Sequence, residues 1–193
     1  MVISSSNSYY KSNPDLVQIS SANKTNLRRF TQSGQIQIYQ SSYRGSYSAM
    51  IRDSLRNAAL GRKVLLIQFM KGGVKQGVDH AVKLCGNLTW VRSSHSFDQY
   101  NSEEIENNKN LKNIIHESTY ELWNFCKQEL LSGENDQIIL DEIFLAIEMN
   151  FIDKDDLIST LEKRFISGDV ILTGTDIPKD LLLMANQITE LRS

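Results

Sequence analysis

The chain has 193 residues, of which 40% are hydrophobic and 23% are charged. This length suits one domain with a sizeable core, and the composition is ordinary for a globular protein. The formal net charge of −2 argues against sequence-independent nucleic-acid binding, because such proteins need a basic surface to neutralise phosphates. No apolar run is long enough to span a bilayer, and the first residues lack the pattern of a secretory signal. We therefore expect a cytoplasmic protein with no membrane or nucleic-acid partner.

The cysteines and histidines are too scattered to form a metal site. Cys85 and Cys126 lie far apart and outside any metal-ligand spacing, which favours two buried, reduced thiols. The three histidines also lack a companion at ligand spacing, so a structural zinc site is not expected. They are His80, His95 and His116.

The N-terminal part of the chain differs in composition from the rest. Residues 1–14 are rich in Ser and Asn, and this composition predicts a disordered arm. Residues 15–33 form an N-terminal extension with a weak apolar pattern. That pattern is compatible with a short strand or a short helix, packed on the domain edge or on a partner subunit. The main domain is predicted over residues 34–193.

Beyond Gly34 the apolar periodicity predicts strands that alternate with helices. The predicted strands are IQIYQ (36–40), KVLLIQF (63–69), NLTWVRS (87–93), QIILDE (137–142), DVILTG (169–174) and QITELR (187–192). The predicted helices are 46–60 ending at Gly61, a short helix over 80–84, a long amphipathic helix over about 102–131, 153–165 capped by Asp153, and 178–186 starting at Pro178. This alternation predicts a three-layer α/β fold with a mostly parallel sheet and helices on both faces. Ligands of such folds bind at the carboxyl ends of the strands.

The loop after the first strand has the position of a phosphate-binding loop. Such a loop uses glycines for close backbone approach to phosphate, a lysine for the phosphates and a Ser or Thr for Mg²⁺. This loop has a single glycine and no lysine. The candidate nucleotide-binding residues are Ser41, Ser42, Tyr43, Arg44, Gly45, Ser46, Tyr47 and Ser48.

An acidic pair follows the buried strand QIIL. Asp141 and Glu142 are the candidate Mg²⁺ ligands, because a metal-dependent nucleotide site needs carboxylates at such a strand end. The alternative is structural: negative charge is also favourable near the N-terminus of a following helix.

Together these stretches resemble the P-loop-type ATP:corrinoid adenosyltransferases. The resemblance rests on the loop QSSYRGSYSAM, on LIQFMKG (66–72), on LDE (140–142), on LTGT (172–175) and on TELR (189–192), in the family's order. It implies a P-loop NTPase-like fold and the transfer of the 5′-deoxyadenosyl group of ATP to a reduced corrinoid cobalt. ATP, Mg²⁺ and a corrinoid are the implied ligands, and a homodimer is the implied assembly.

The departures from the family pattern concentrate in the loop. The family's first loop glycines fall on Ser41 and Tyr43, its lysine on Ser46 and its metal-binding threonine on Tyr47. Each lost donor would typically cost about 2.7–4 kcal/mol in transition-state stabilisation. Arg44 could compensate in part, since a guanidinium binds phosphate through two nitrogens.

The corrinoid side of the implied site is also altered. The family's aromatic segment falls near HSFD (95–98), where Phe97 offers the comparable ring and is the candidate corrinoid contact. The arginine of the family's L-T-G-R falls on Thr175. The polar segment 93–101 is either a mobile lid or a solvated linker, and its composition favours the linker.

Three functions remain open from the sequence. The favoured one is a diverged homologue whose ATP binding and adenosyl transfer are weakened or lost. The first alternative is an active adenosyltransferase with a rebuilt loop, which uses Arg44 and Ser48 with Asp141 and Glu142 at Mg²⁺. The second is a non-enzymatic interaction or regulatory module on a P-loop scaffold.

Overall fold

The computed structural model describes residues 33–42, 48–73, 75–95, 97 and 102–191. The predicted arm (1–14) and all of the predicted extension except Ser33 lie outside these residues. Residues 43–47 of the loop after the first strand also lie outside them. So do residues 96 and 98–101 of the segment 93–101.

Seven strands form one sheet within the described residues, in the order β3-β4-β2-β5-β6-β1-β7. Their bounds are β1 Ile36–Ser41, β2 Val64–Gly72, β3 Val82–Leu84, β4 Leu88–Ser93, β5 Gln137–Asp141, β6 Asp169–Gly174 and β7 Gln187–Leu191. Neighbouring strands are parallel except β3 and β4, which form an antiparallel hairpin. The predicted mostly parallel α/β fold is confirmed.

Helices connect the parallel strands. Their bounds are α1 Ser48–Ala59, α2 Ser102–Asn107, α3 Lys109–Ser132, α4 Ile143–Glu148, α5 Lys154–Lys163 and α6 Lys179–Met184, with a 3-10 turn over Val78–His80. Asp153 caps α5 as predicted, because its Oδ1 accepts hydrogen bonds from the backbone N–H groups of Asp155 and Asp156.

The sheet separates two apolar clusters, because successive side chains of a strand point to opposite faces. On β2, Leu65 and Ile67 belong to the larger cluster, and Leu66 belongs to the smaller one. Residues of α1 cover the smaller cluster, whereas α2 to α6 supply residues to the larger one. Helices therefore cover both faces, as the three-layer prediction requires.

Two predicted elements differ from the structure, and one observed helix was not predicted. The long predicted helix is broken at Asn108 into α2 and α3. The Asn108 side chain accepts a hydrogen bond from the Leu111 N–H and so caps the N-terminus of α3. The helix predicted over 80–84 is wrong: a 3-10 turn ends there and β3 begins. Cys85 and Gly86 both have positive φ (51° and 75°) in the turn that joins β3 to β4, a conformation typical of tight hairpins. The six-residue helix α4 was not predicted.

The two cysteines have different environments. Both are free thiols, but Cys126 is buried and Cys85 is exposed at the hairpin turn. The prediction of two buried thiols therefore holds for Cys126 and is wrong for Cys85. Burial is the main cause that raises the pKa of the Cys126 thiol well above its usual value. In the part of the chain that the structure describes, no helix is long and apolar enough to cross a membrane.

Candidate functional site

A row of polar side chains crosses the sheet near the carboxyl ends of its central strands. The strand register places Gln68 of β2 opposite Asp141 of β5 and opposite Arg92 of β4. Thr173 of β6 contacts Asp141 from the other side. The row lies on the α1 face, because the side chains two residues earlier belong to the smaller cluster or pack against it. Those side chains are Leu66, Trp90, Ile139 and Ile171.

Asp141 is the centre of this row, and protein donors occupy both of its carboxylate oxygens. Oδ2 accepts hydrogen bonds from Gln68 Nε2 at 2.6 Å and from Lys71 Nζ at 3.1 Å. Oδ1 accepts a hydrogen bond from Thr173 Oγ1 at 2.8 Å. The side chain is 0% exposed. A carboxylate with this set of donors is held in one orientation and is charge-balanced within the fold.

Glu142 sits beside Asp141 in a left-handed conformation, with φ of 59°. Its backbone N–H donates to Thr173 Oγ1 at 2.9 Å, so the Thr173 hydroxyl bridges the two acidic residues. Its Oε1 lies 3.6 Å from Lys71 Nζ, and its side chain is 2% exposed. Lys71 is therefore the shared counter-charge of two buried carboxylates.

Gln68 connects the acidic pair to β4. Its Oε1 accepts hydrogen bonds from Trp90 Nε1 at 2.9 Å and from Arg92 Nε at 2.6 Å. With the oxygen so engaged, the amide Nε2 is directed to Asp141. The Arg92 guanidinium also stacks 4.0 Å above the Trp90 ring, a favourable cation–π contact.

The structure places three residues of the predicted phosphate loop. Ser41 is buried at the end of β1, Ser42 is exposed, and Ser48 is exposed at the start of α1. Near them, Gln40 Nε2 donates to the Thr175 carbonyl at 3.0 Å and ties the ends of β1 and β6 together. The predicted loop residues Tyr43, Arg44, Gly45, Ser46 and Tyr47 lie outside the described residues. Nucleotide binding by this loop stays a prediction.

The candidate corrinoid residue Phe97 lies in the larger core cluster and is 1% exposed. The exposed His95 ring stacks beside it, with ring centroids 6.1 Å apart. Gly72 packs so closely against the His95 carbonyl that no side chain fits there. Corrinoid contact by Phe97 stays a prediction. In this structure the Phe97 ring packs in the hydrophobic core.

The sequence predicts the acidic pair but not the residues that hold it. Gln68, Lys71 and Thr173 all lie in stretches that carry the family resemblance, yet none was assigned a role. A signal for Gln68 was present, since a polar residue inside a continuous apolar strand needs a buried partner. Among the described residues, no group of three or more His, Cys, Asp or Glu side chains is arranged to hold a metal ion.

Comparison with known proteins agrees with this architecture. The family model of the ATP:corrinoid adenosyltransferases BtuR/CobO/CobP matches residues 32–193. A corrinoid adenosyltransferase of Escherichia coli (strain K12) is 23% identical over 160 residues, which cover 82% of this chain and 76% of that protein. The corrinoid adenosyltransferase CobA of Salmonella typhimurium (strain LT2) is 24% identical over 168 residues, with 82% and 76% covered.

The family match extends over most of the chain and includes every strand of the sheet and the acidic pair that ends β5. The chain belongs to the ATP:corrinoid adenosyltransferase family.

Proposed function

We propose that this chain is a diverged adenosyltransferase that keeps the family fold but has lost efficient ATP binding and adenosyl transfer. The observation that carries the proposal is Ser46, which stands where the family has the phosphate-binding lysine. A triphosphate carries about four negative charges, and its affinity depends on charge-assisted hydrogen bonds from lysine, metal and loop N–H groups. A hydroxyl at this position removes a full positive charge from the phosphates.

Two neighbouring replacements support the same conclusion. Tyr43 places a side chain where a glycine would let the backbone curl around phosphate. Tyr47 replaces the threonine that would bind the metal. The strand and the helix that flank the loop, Ile36–Ser41 and Ser48–Ala59, are both present. The proposed loss is therefore one of loop chemistry and not of the scaffold.

An adenosylation assay with the full chain tests this function. The chain is mixed with MgATP and a chemically reduced Co(I) corrinoid, and the adenosylated product is followed by its absorbance. We expect no product above the rate without protein, while the Escherichia coli corrinoid adenosyltransferase in a parallel sample gives product. Product formation well above background by this chain would end the proposal.

The retained acidic pair favours a second candidate, an active adenosyltransferase with a rebuilt loop. In that enzyme Arg44 and Ser48 would take over phosphate binding, with Asp141 and Glu142 at Mg²⁺. This candidate requires measurable turnover that Arg44→Ala abolishes while the circular dichroism spectrum stays unchanged. Turnover that survives Arg44→Ala would count against it.

For assembly and location we propose a cytoplasmic homodimer that binds a corrinoid. The family resemblance supports the dimer and the corrinoid, and the two free thiols suit a reducing compartment. Sedimentation of the full chain and of a chain truncated before Gly34 tests whether residues 1–33 support the dimer. Capture of a stable, different protein partner in place of self-association would favour the interaction-module alternative.

A further inference from the structure

The acidic pair at the end of β5 does not fit a divalent metal ion as it stands. Mg²⁺ demands near-octahedral coordination by oxygens, and a carboxylate ligand must offer it a lone pair. Three protein donors already take three of the roughly four lone-pair sites of the Asp141 carboxylate, which leaves at most one site, on Oδ1. The position beside Oδ2 that a cation would take holds the ammonium of Lys71, at 3.1 Å.

Lys71 supplies positive charge at the position where a metal would otherwise supply it. Asp141 and Glu142 are 0% and 2% exposed, and buried carboxylates require a nearby positive charge. Lys71 Nζ lies within 4 Å of both carboxylates while its own side chain is 23% exposed. A divalent cation at the same position would have to displace this ammonium, because like charges repel at such distances.

The contacts around Lys71 fix this arrangement. The next residue, Gly72, packs directly against the backbone of His95, which holds the end of β2 in place. Gln68, three residues before Lys71, presents its amide to the same oxygen of Asp141. The register of β2 against β4 also shifts between Gln68 and Gly72. Such irregularities re-aim the side chains next to them.

We propose that the Lys71 ammonium takes the place of the divalent cation at Asp141 and Glu142, so that the fold holds this acidic pair without metal. The proposal concerns the acidic pair alone. It stands or fails independently of whether the loop after β1 binds ATP, which the adenosylation assay decides.

Electron paramagnetic resonance with Mn²⁺ as the probe tests the proposal on the full chain. We compare the wild type with Lys71→Met, which removes the ammonium and frees the lone pair of Asp141 Oδ2 to which it donates. Lys75→Met is the matched control, because it removes the same charge from an exposed position in the same connection. We expect Lys71→Met to bind one Mn²⁺ about tenfold or more tightly than the wild type, and Lys75→Met to equal the wild type. Adding Asp141→Asn to Lys71→Met should abolish the gain.

Two outcomes would overturn the proposal. One is stoichiometric Mn²⁺ binding by the wild type that Asp141→Asn removes, and the other is a Lys71→Met variant that gains no Mn²⁺ affinity. If Lys71→Met does not fold, the wild type alone decides through the ¹⁵N resonance of the Lys71 ammonium. That resonance should be unchanged when Mn²⁺ is added, and paramagnetic broadening at low Mn²⁺ would contradict the proposal.

Discussion

The hydroxyl of Thr119 is buried inside α3, and within the described residues it has no hydrogen-bond partner. An unsatisfied buried hydroxyl keeps its desolvation penalty. We expect Thr119→Val to raise the free energy of unfolding by about 1 kcal/mol, as measured by urea denaturation.

Thr160 of α5 is the matched control for this substitution. It is also buried, but its Oγ1 donates to the Asp156 carbonyl at 2.7 Å. Thr160→Val should therefore lower the free energy of unfolding by roughly 0.5–1.5 kcal/mol. If both variants lose stability equally, the Thr119 hydroxyl has a partner after all.

The acidic pair was predictable from sequence, whereas its lysine was not. An apolar run that ends in Asp141 and Glu142, downstream of a strand–loop–helix unit, predicts carboxylates at the edge of a parallel sheet. Strict alternation along β2 would place Lys71 with Leu65 and Ile67, on the face opposite to Gln68. The register shift between Gln68 and Gly72 breaks that alternation, and a one-dimensional pattern does not reveal it.

The end of β2 depends on a close backbone contact. A Cβ at Gly72 would overlap the carbonyl oxygen of His95, whereas a Cβ at Gly73 would meet only side-chain atoms of Gln76 at 3.7 Å or more. We expect Gly72→Ala to cost about 1–3 kcal/mol, since overpacking forces the backbone to shift. Gly73→Ala should change the free energy of unfolding by less than about 0.5 kcal/mol. Thermal denaturation of the two variants side by side checks this, and equal stability would show that the contact is dispensable.

The carboxylate of Asp156, on α5, links this helix to α3. Asp156 accepts hydrogen bonds from Trp123 Nε1 at 2.7 Å and from Lys127 Nζ at 2.9 Å. The Trp123 hydrogen bond is the main cause that lowers the pKa of the Asp156 carboxyl below its usual 3.8, and Lys127 and Lys163 add to the effect. A lowered pKa in the folded state means that the ionised carboxylate stabilises the fold above pH 3.8. That stability is lost as the pH falls through the folded value.

Asp156→Asn removes this charge and keeps an acceptor oxygen. We expect the wild type to melt at a higher temperature than the variant at pH 6, and the difference to shrink steadily once the pH falls below 3.8. Asp155→Asn is the control, because the Asp155 side chain is 87% exposed and its substitution should give a small difference. If the difference in melting temperature between wild type and Asp156→Asn stays constant down to pH 3, the ionised Asp156 carboxylate does not stabilise the fold.

Elements with strong local signals were predicted well, and elements that depend on tertiary contacts were not. Asp153 and the apolar spacing after it specify α5, because the cap and the buried face both lie within the segment. The break at Asn108 was missed since the apolar periodicity runs across it. The sequence predicts a helix where the structure has β3, because a three-residue edge strand is defined by its pairing with β4 and carries little pattern of its own.

The sequence patterns also do not predict the order of the strands in the sheet. Alternating strands and helices predict parallel pairing, but they do not show that β1 lies between β6 and β7. Parallel crossovers allow several orders, and the one observed brings the ends of β1, β6, β5 and β2 side by side. This order places Ser41, at the end of β1, on the same edge of the sheet as the acidic pair.

We propose that the family scaffold persists in this chain without its triphosphate-binding chemistry. Titration calorimetry of MgATP into the full chain tests it most directly, with a Tyr43→Gly/Ser46→Lys/Tyr47→Thr variant that restores the loop. Ser42→Lys is the control, because it adds the same charge outside the position of the family lysine. We predict no binding heat for the wild type or for Ser42→Lys at millimolar nucleotide, and saturable binding for the restored loop. Tight, magnesium-dependent binding by the wild type would show instead that the triphosphate-binding chemistry is retained.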